Sequence, residues 1–227
     1  MVAGMIAFFV APAAMLVKKG GDWHRRWGKV YVWSMVVVVI SVFTASFFKP
    51  NPLLMLIGIF SIYMILSGYR ALYLKRLSQG QRPSRADILL HSIAVIVNFS
   101  LVIWGGLSIY HEGTGGFGTV VFVIGAIGSI LVFNNIRKFF KRRIHKQDWW
   151  FSHMGGMIGG YIATVSAFSA VNFSFIPDEY MWLRWLWPSI IGVPLIFVWV
   201  AYYRKKFAGG KSPRRYAKIK IDQAGST

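Results

Sequence analysis

Long apolar runs alternate with short polar and basic segments along the whole chain, at 2–17, 30–48, 53–74, 88–110, 117–136, 150–175 and 183–203. A helix needs about 20 mostly apolar residues to cross a hydrocarbon core of roughly 30 Å. Within that core every backbone group must be paired inside the protein, which a helix achieves alone. The pattern therefore predicts an all-α, polytopic integral membrane protein with seven transmembrane helices. Residues 1–206 form one transmembrane domain and 207–227 a basic, flexible cytoplasmic tail. The first run is the shortest and holds Pro12. Lys18 and Lys19 follow it, whereas the basic region of a signal peptide precedes its apolar run, so it reads as an anchor.

Charge gives the predicted helices an orientation. Of the 26 Lys and Arg, all but Lys49 and Arg184 fall within 18–29, 75–85, 137–146 and 204–220 or at Arg70. Those segments lie on one side of a seven-span path, and basic loops mark the cytoplasmic side. The N-terminus is then outside and the C-terminus inside. Arg70 sits near the end of the third span, where its stem reaches the interface. Most of the Trp residues, Trp23, Trp27, Trp149, Trp150 and Trp182 among them, cluster near predicted helix ends as a headgroup-level belt.

A net charge of +19 raises nucleic acid as a partner. The clustering of that charge between apolar runs speaks instead for lipid. Basic segments at a membrane attract anionic lipid by about 1 kcal/mol per charge. The expected partners are the bilayer, anionic lipid at the cytoplasmic face, and a membrane-protein partner or second copy, with no nucleic acid. Cysteine is absent, so no thiolate metal site or cysteine nucleophile exists. No Asp, Glu or Lys lies at the middle of a span, which counts against an ion-coupled transporter.

Candidate chemistry concentrates in three histidines. His24, His91 and His153 lie near the cytoplasmic starts of the second, fourth and sixth spans, each behind an aspartate: Asp22, Asp87 and Asp148. On the fourth span, helical periodicity groups His91 with Ala94, Val95 and Asn98. The buried amide of Asn98 turns that face inward. On the sixth it groups His153 with Gly156, Met157 and Gly160. Gly155, Gly156, Gly159 and Gly160 make a small-residue stripe open to a neighbouring helix or a flat ligand. Three imidazoles suit zinc, with the aspartates as ligands or as acceptors for the ring N–H groups. Alternatively His91 and His153 ligate one haem b from both sides, with Arg25, Arg26 or Arg85 near its carboxylates. Each pair also has a plain structural explanation. Aspartate caps helix N-termini, and histidine suits a membrane interface. A spacing of 67 residues relates His24 to His91 and Ile57-Gly58 to Ile124-Gly125, a faint repeat of a helical hairpin.

Several motifs carry a likeness: His24-Arg25-Arg26 with Gly28-Lys29 and Tyr31, Ser67-Gly68-Tyr69-Arg70, His153-Met154, and Pro188-Ser189-Ile190-Ile191-Gly192-Val193-Pro194. In these the chain resembles a bacterial family of predicted polytopic membrane proteins of unknown function. The resemblance implies a bacterial cytoplasmic membrane and brings no activity. The sequence thus favours a histidine site for one haem or metal ion. A non-catalytic membrane subunit or scaffold comes next, and a small-molecule transporter third.

Overall fold

A computed structural model describes residues 2–114, 116–140 and 145–209. Its helices are α1 (Val2–Leu16), α2 (Asp22–Phe48), α3 (Pro52–Arg70), α4 (Arg85–Glu112), α5 (Phe117–Phe140), α6 (Asp148–Asn172) and α7 (Met181–Gly209), with no strand among the described residues. All seven match the apolar runs. Six are long and apolar enough to cross a membrane, and α1 is the exception. Its 15 residues span about 22 Å at 1.5 Å per residue, short of a hydrocarbon core. α7 runs on through Gly209, so the first residues assigned to the tail are helical. The rest of the tail and part of the basic 137–146 loop lie outside the described residues.

Local signals set several ends. Asn51 caps α3 by accepting from the Leu54 N–H, with Pro52 in the first turn. Ser84 and Asp87 form a capping box at α4, each side chain bonding the other's backbone N–H. Gly20 holds φ +77°, the left-handed region open to glycine, and lets the chain reverse between α1 and α2 within five residues.

α3 is the axis of the bundle. Ile57 packs with Val120, Ile124, Ala163, Trp185 and Leu186 from α5, α6 and α7. Ile65 packs with Ala7, Ala11, Tyr31 and Met35 from α1 and α2, and Tyr63 and Met64 with Ala94 and Val132 from α4 and α5. A small-residue stripe makes little sense against lipid and predicts that α6 is the most protein-buried helix, but more of α3 is buried than of α6. The α6 stripe explains the relation. A Cβ at Gly156 would lie 2.6 Å from the Gly68 Cα, and one at Gly160 2.7 Å from the Ile65 side chain. α6 is bare so that α3 can lie against it. The same device joins α4 to α5, where Gly125 faces the Leu101 side chain and Gly105 the Phe122 backbone.

The inward face of α4 is narrower than expected. Asp87, His91, Ala94, Asn98, Leu101 and Gly105 are buried, while Val95 is exposed.

Candidate functional site

The tight turn at Gly20 folds α1 back on α2 and sets the Ala14 carbonyl beside the His24 ring. The His24 Nδ1 lies 2.9 Å from that oxygen. On α6 the His153 Nδ1 lies 3.0 Å from the Gly68 carbonyl of α3. A carbonyl only accepts, so both rings carry a proton on Nδ1. In the neutral imidazole the lone pair is then on Nε2. The two rings stand 6.3 Å apart between centroids with their planes at 80°. Each is anchored from behind by a backbone carbonyl of a different neighbouring helix.

This pair borders a partly open cavity of about 610 Å³ lined by α1, α2, the end of α3, α6 and α7. Ligand pockets run to roughly 300–1,000 Å³, mostly apolar with a few convergent polar groups. Here the walls are Ala11 and Ala14 on α1, Gly28 on α2, Met157 and Ile158 on α6, and Trp199 and Tyr203 on α7. Around the loop end stand Lys19, Arg25 and Lys75. The Lys75 Nζ lies 4.9 Å from the centre of the Trp149 ring, which holds the ammonium in place. Lys19 donates to the Met15 carbonyl, and burial pushes its ammonium below the ordinary lysine range. Such a cation favours an anionic partner.

His91 belongs elsewhere. The Asn135 amide donates to the Tyr63 hydroxyl at 3.2 Å, and that hydroxyl lies 3.1 Å from the His91 Nδ1. The His91 Nδ1 is thus occupied by the Tyr63 hydroxyl, on the far side of α3 from His153 and its Gly68 carbonyl partner. His91 lines a separate, smaller cavity of about 30 Å³ with Arg70, Asn135, Lys138 and Ser152. The expected pairing of His91 with His153 across one cofactor is therefore corrected: the imidazole that meets His153 is His24.

The aspartates are likewise separated from the histidines. Asp87 is 1% exposed and takes two hydrogen bonds from Arg70, at 2.7 and 2.9 Å, besides those from Ser84. Arg70, read from sequence as reaching for the interface, instead neutralises this carboxylate. Asp148 accepts from the His145 backbone N–H in the turn before α6, and Asp22 is exposed on the first turn of α2. Among the described residues no three His, Cys, Asp or Glu groups stand close enough to hold a metal ion. The proposed metal set of His24, His91, His153 and the three aspartates is thus divided among several places.

Two further corrections follow. Gly156, Gly159 and Gly160 make room for α3, not for a flat ligand. Of the three arginines assigned to cofactor carboxylates, Arg25 borders the cavity, while Arg26 lies over the Trp23 ring and Arg85 is exposed. Sequence reasoning missed Tyr31, whose buried hydroxyl has no hydrogen-bond partner among the described residues and whose side chain borders the same cavity.

Comparison with protein-family models, with characterised proteins and with solved structures finds no match to this chain.

Proposed function

We propose that this chain is a bacterial multi-pass membrane protein, N-terminus outside and C-terminus in the cytoplasm, that holds one haem between His24 and His153 and passes single electrons through it. The observation that carries this reading is the pair of imidazoles 6.3 Å apart with both Nδ1 atoms anchored to backbone carbonyls. Histidines that bind metals ordinarily donate the other ring N–H in this way, which fixes the tautomer and raises the basicity of the ligating nitrogen.

Distance supports the same assignment. Two metal–imidazole bonds of about 2.0–2.1 Å, with half a ring on each side, separate the ring centres by about 6 Å. The observed separation is 6.3 Å. Ligand number favours haem over zinc. Zinc takes three or four protein ligands, whereas a porphyrin supplies four nitrogens of its own and asks the protein for two. Two imidazoles, with no third donor among the described residues, suit the second case. Lys19, Arg25 and Lys75 would meet the carboxylates, and the aromatic walls the ring faces. Held by two imidazoles, the iron would have no site left for a substrate, which favours electron transfer over oxygen chemistry. His24 and His153 also both fall within the motifs that carry the family resemblance.

The test is an absorption spectrum of the detergent-purified protein before and after titration with haemin. The expected result is a Soret band with the sharpened visible bands of a six-coordinate low-spin haem on reduction. His24→Ala and His153→Ala should each lose that spectrum, and His91→Ala should keep it. A protein that takes up no haemin, or that loses the spectrum on changing His91 alone, overturns the proposal.

A further inference from the structure

The smaller cavity, of about 30 Å³, is walled by the end of α3, the connection 71–84, α4, α5 and the start of α6. The connection is pinned by its own residues. Gly80 turns it at φ +90°. The Gln81 side chain ties it back, donating to the Tyr73 carbonyl at 2.8 Å and accepting from the Arg76 N–H at 3.0 Å. Ser78, inside this turn, is 8% exposed and forms part of the cavity wall.

Polar groups of that wall lack a partner among the described residues. The Ser78 hydroxyl forms no hydrogen bond there. The His91 ring, 6% exposed, places Nδ1 against Tyr63 and leaves Nε2 without a partner. Arg70 spends Nε and Nη2 on Asp87 and Ser84 and keeps Nη1. None of these atoms is sealed in by packing, as the Tyr31 hydroxyl is. Buried polar groups ordinarily have a partner. Charge selects which one. Arg70, Lys75, Lys138 and Lys146 border the cavity together with one carboxylate, Asp148, and Asp87 offsets the charge of Arg70. The Lys138 Nζ donates to Ser152 at 2.6 Å and to Asn135 at 3.1 Å, both in the wall, which fixes the ammonium beside the cavity.

We infer that this cavity binds one phosphate group, of free phosphate or of an anionic lipid headgroup, with Arg70, Lys138 and Lys146 supplying positive charge and Ser78 and His91 hydrogen-bonding its oxygens. Size agrees with that ligand. A water needs about 10–15 Å³ of such space, so the cavity takes about two or three water-sized groups, the bulk of one phosphate and far less than a haem. Chemistry agrees as well. A phosphate offers several strong acceptor oxygens, and its hydrogen bonds to Arg and Lys are charge-assisted. The cavity lies at the end of the bundle where the basic segments gather, the level at which anionic headgroups are attracted. It shares Lys75 and Trp149 with the larger cavity and contains neither His24 nor His153, so this inference and the haem reading can fail separately.

The experiment titrates the full-length protein, purified in phosphate-free detergent buffer, with inorganic phosphate and with dihexanoylphosphatidylglycerol, followed by calorimetry. Ser78→Ala and Lys138→Met should each weaken binding by about tenfold, as for one lost hydrogen bond to a charged group. Lys29→Met, which alters the other cavity, should leave it unchanged. Without phosphate, Ser78→Ala should melt as wild type does, because its hydroxyl has no bond to lose, so this variant tests the site in a folded protein. Competition between the two probes places both in this cavity. Lipid binding that responds to Ser78→Ala where inorganic phosphate does not bind assigns the site to a headgroup, and the reverse assigns it to the free anion. Binding of neither probe, or binding that is equal in wild type, Ser78→Ala and Lys138→Met, overturns the inference.

Discussion

Arg70 at the C-terminal end of α3 and Asp87 at the N-terminal end of α4 are bound by two hydrogen bonds, with Arg70 also donating to the Ser84 hydroxyl at 2.9 Å. Removing one member of a buried pair strands the other charge, at about 3–5 kcal/mol. Arg70→Ala should therefore lower the detergent melting temperature markedly, and Arg70→Met with Asp87→Leu should recover most of the loss. Equal melting of the single variant and wild type would mean that Asp87 is solvated. A second residue-scale test concerns the turn before His24. Gly20→Val forces a β-branched residue into φ +77° and strains the reversal that positions the Ala14 carbonyl. It should weaken haemin binding at the His24 site while a His91→Ala protein still binds. Sequence made these residues visible without revealing their partners. Asp87 reads equally as a cap, a ligand or an ion-pair member, and only the return of α4 beside α3 selects among them. The tautomers of His24, His91 and His153 depend on carbonyls and hydroxyls of other helices, which periodicity does not encode.

Among the helices, the closest approaches run through glycine. A side chain at Gly156 meets the Gly68 backbone, which cannot rotate away as a flexible side chain would. Gly156→Leu should destabilise the bundle by about 1–3 kcal/mol or more through overpacking. The equivalent change at Gly155, where nothing lies within 4 Å, should be nearly silent. The comparison is read by thermal unfolding in one detergent, and equal effects at both positions would remove the α3–α6 seam as the cause. The stripe was legible because small residues four apart rarely serve a lipid face. Its occupant was not legible. A bare helix face accepts a helix or a ligand equally well, and α3 fits it because Gly68 provides a matching bare point. The seam between α4 and α5 went unread because its glycines, Gly105, Gly118, Gly125 and Gly128, are spread over two helices.

For the molecule as a whole, the alternation of basic and neutral loops predicts opposite compartments for Gly113 and for the C-terminus. Alkaline phosphatase fusions should be active at Gly113 and inactive at the C-terminus, and the same result at both sites would overturn the orientation. Six of the seven helices answer to length and hydropathy alone, because the requirement for satisfied backbone groups in lipid acts on each segment independently. α1 does not meet that length, since its 15 residues were selected by packing against α2 and α6. The cavity escaped sequence reading for a related reason. It is built from five elements, and no one of them carries more than a fraction of its wall.

The central position of α3 has a consequence for how the protein is made. Its partner α4 follows it directly, so the Arg70–Asp87 pair joins residues only 17 apart and closes as soon as both have left the ribosome. The glycine seam is different: Gly68 has to wait for Gly156, and His153 for the Gly68 carbonyl 85 residues earlier. At a synthesis rate of about 5–20 residues per second that interval is roughly 4–17 s. Through that time α3 carries a bare face with no helix on it, and one of the two imidazoles does not yet exist. The α1–α2 hairpin and the Arg70–Asp87 pair can thus mature before the seam, and the cavity can take a ligand only after α6 has arrived.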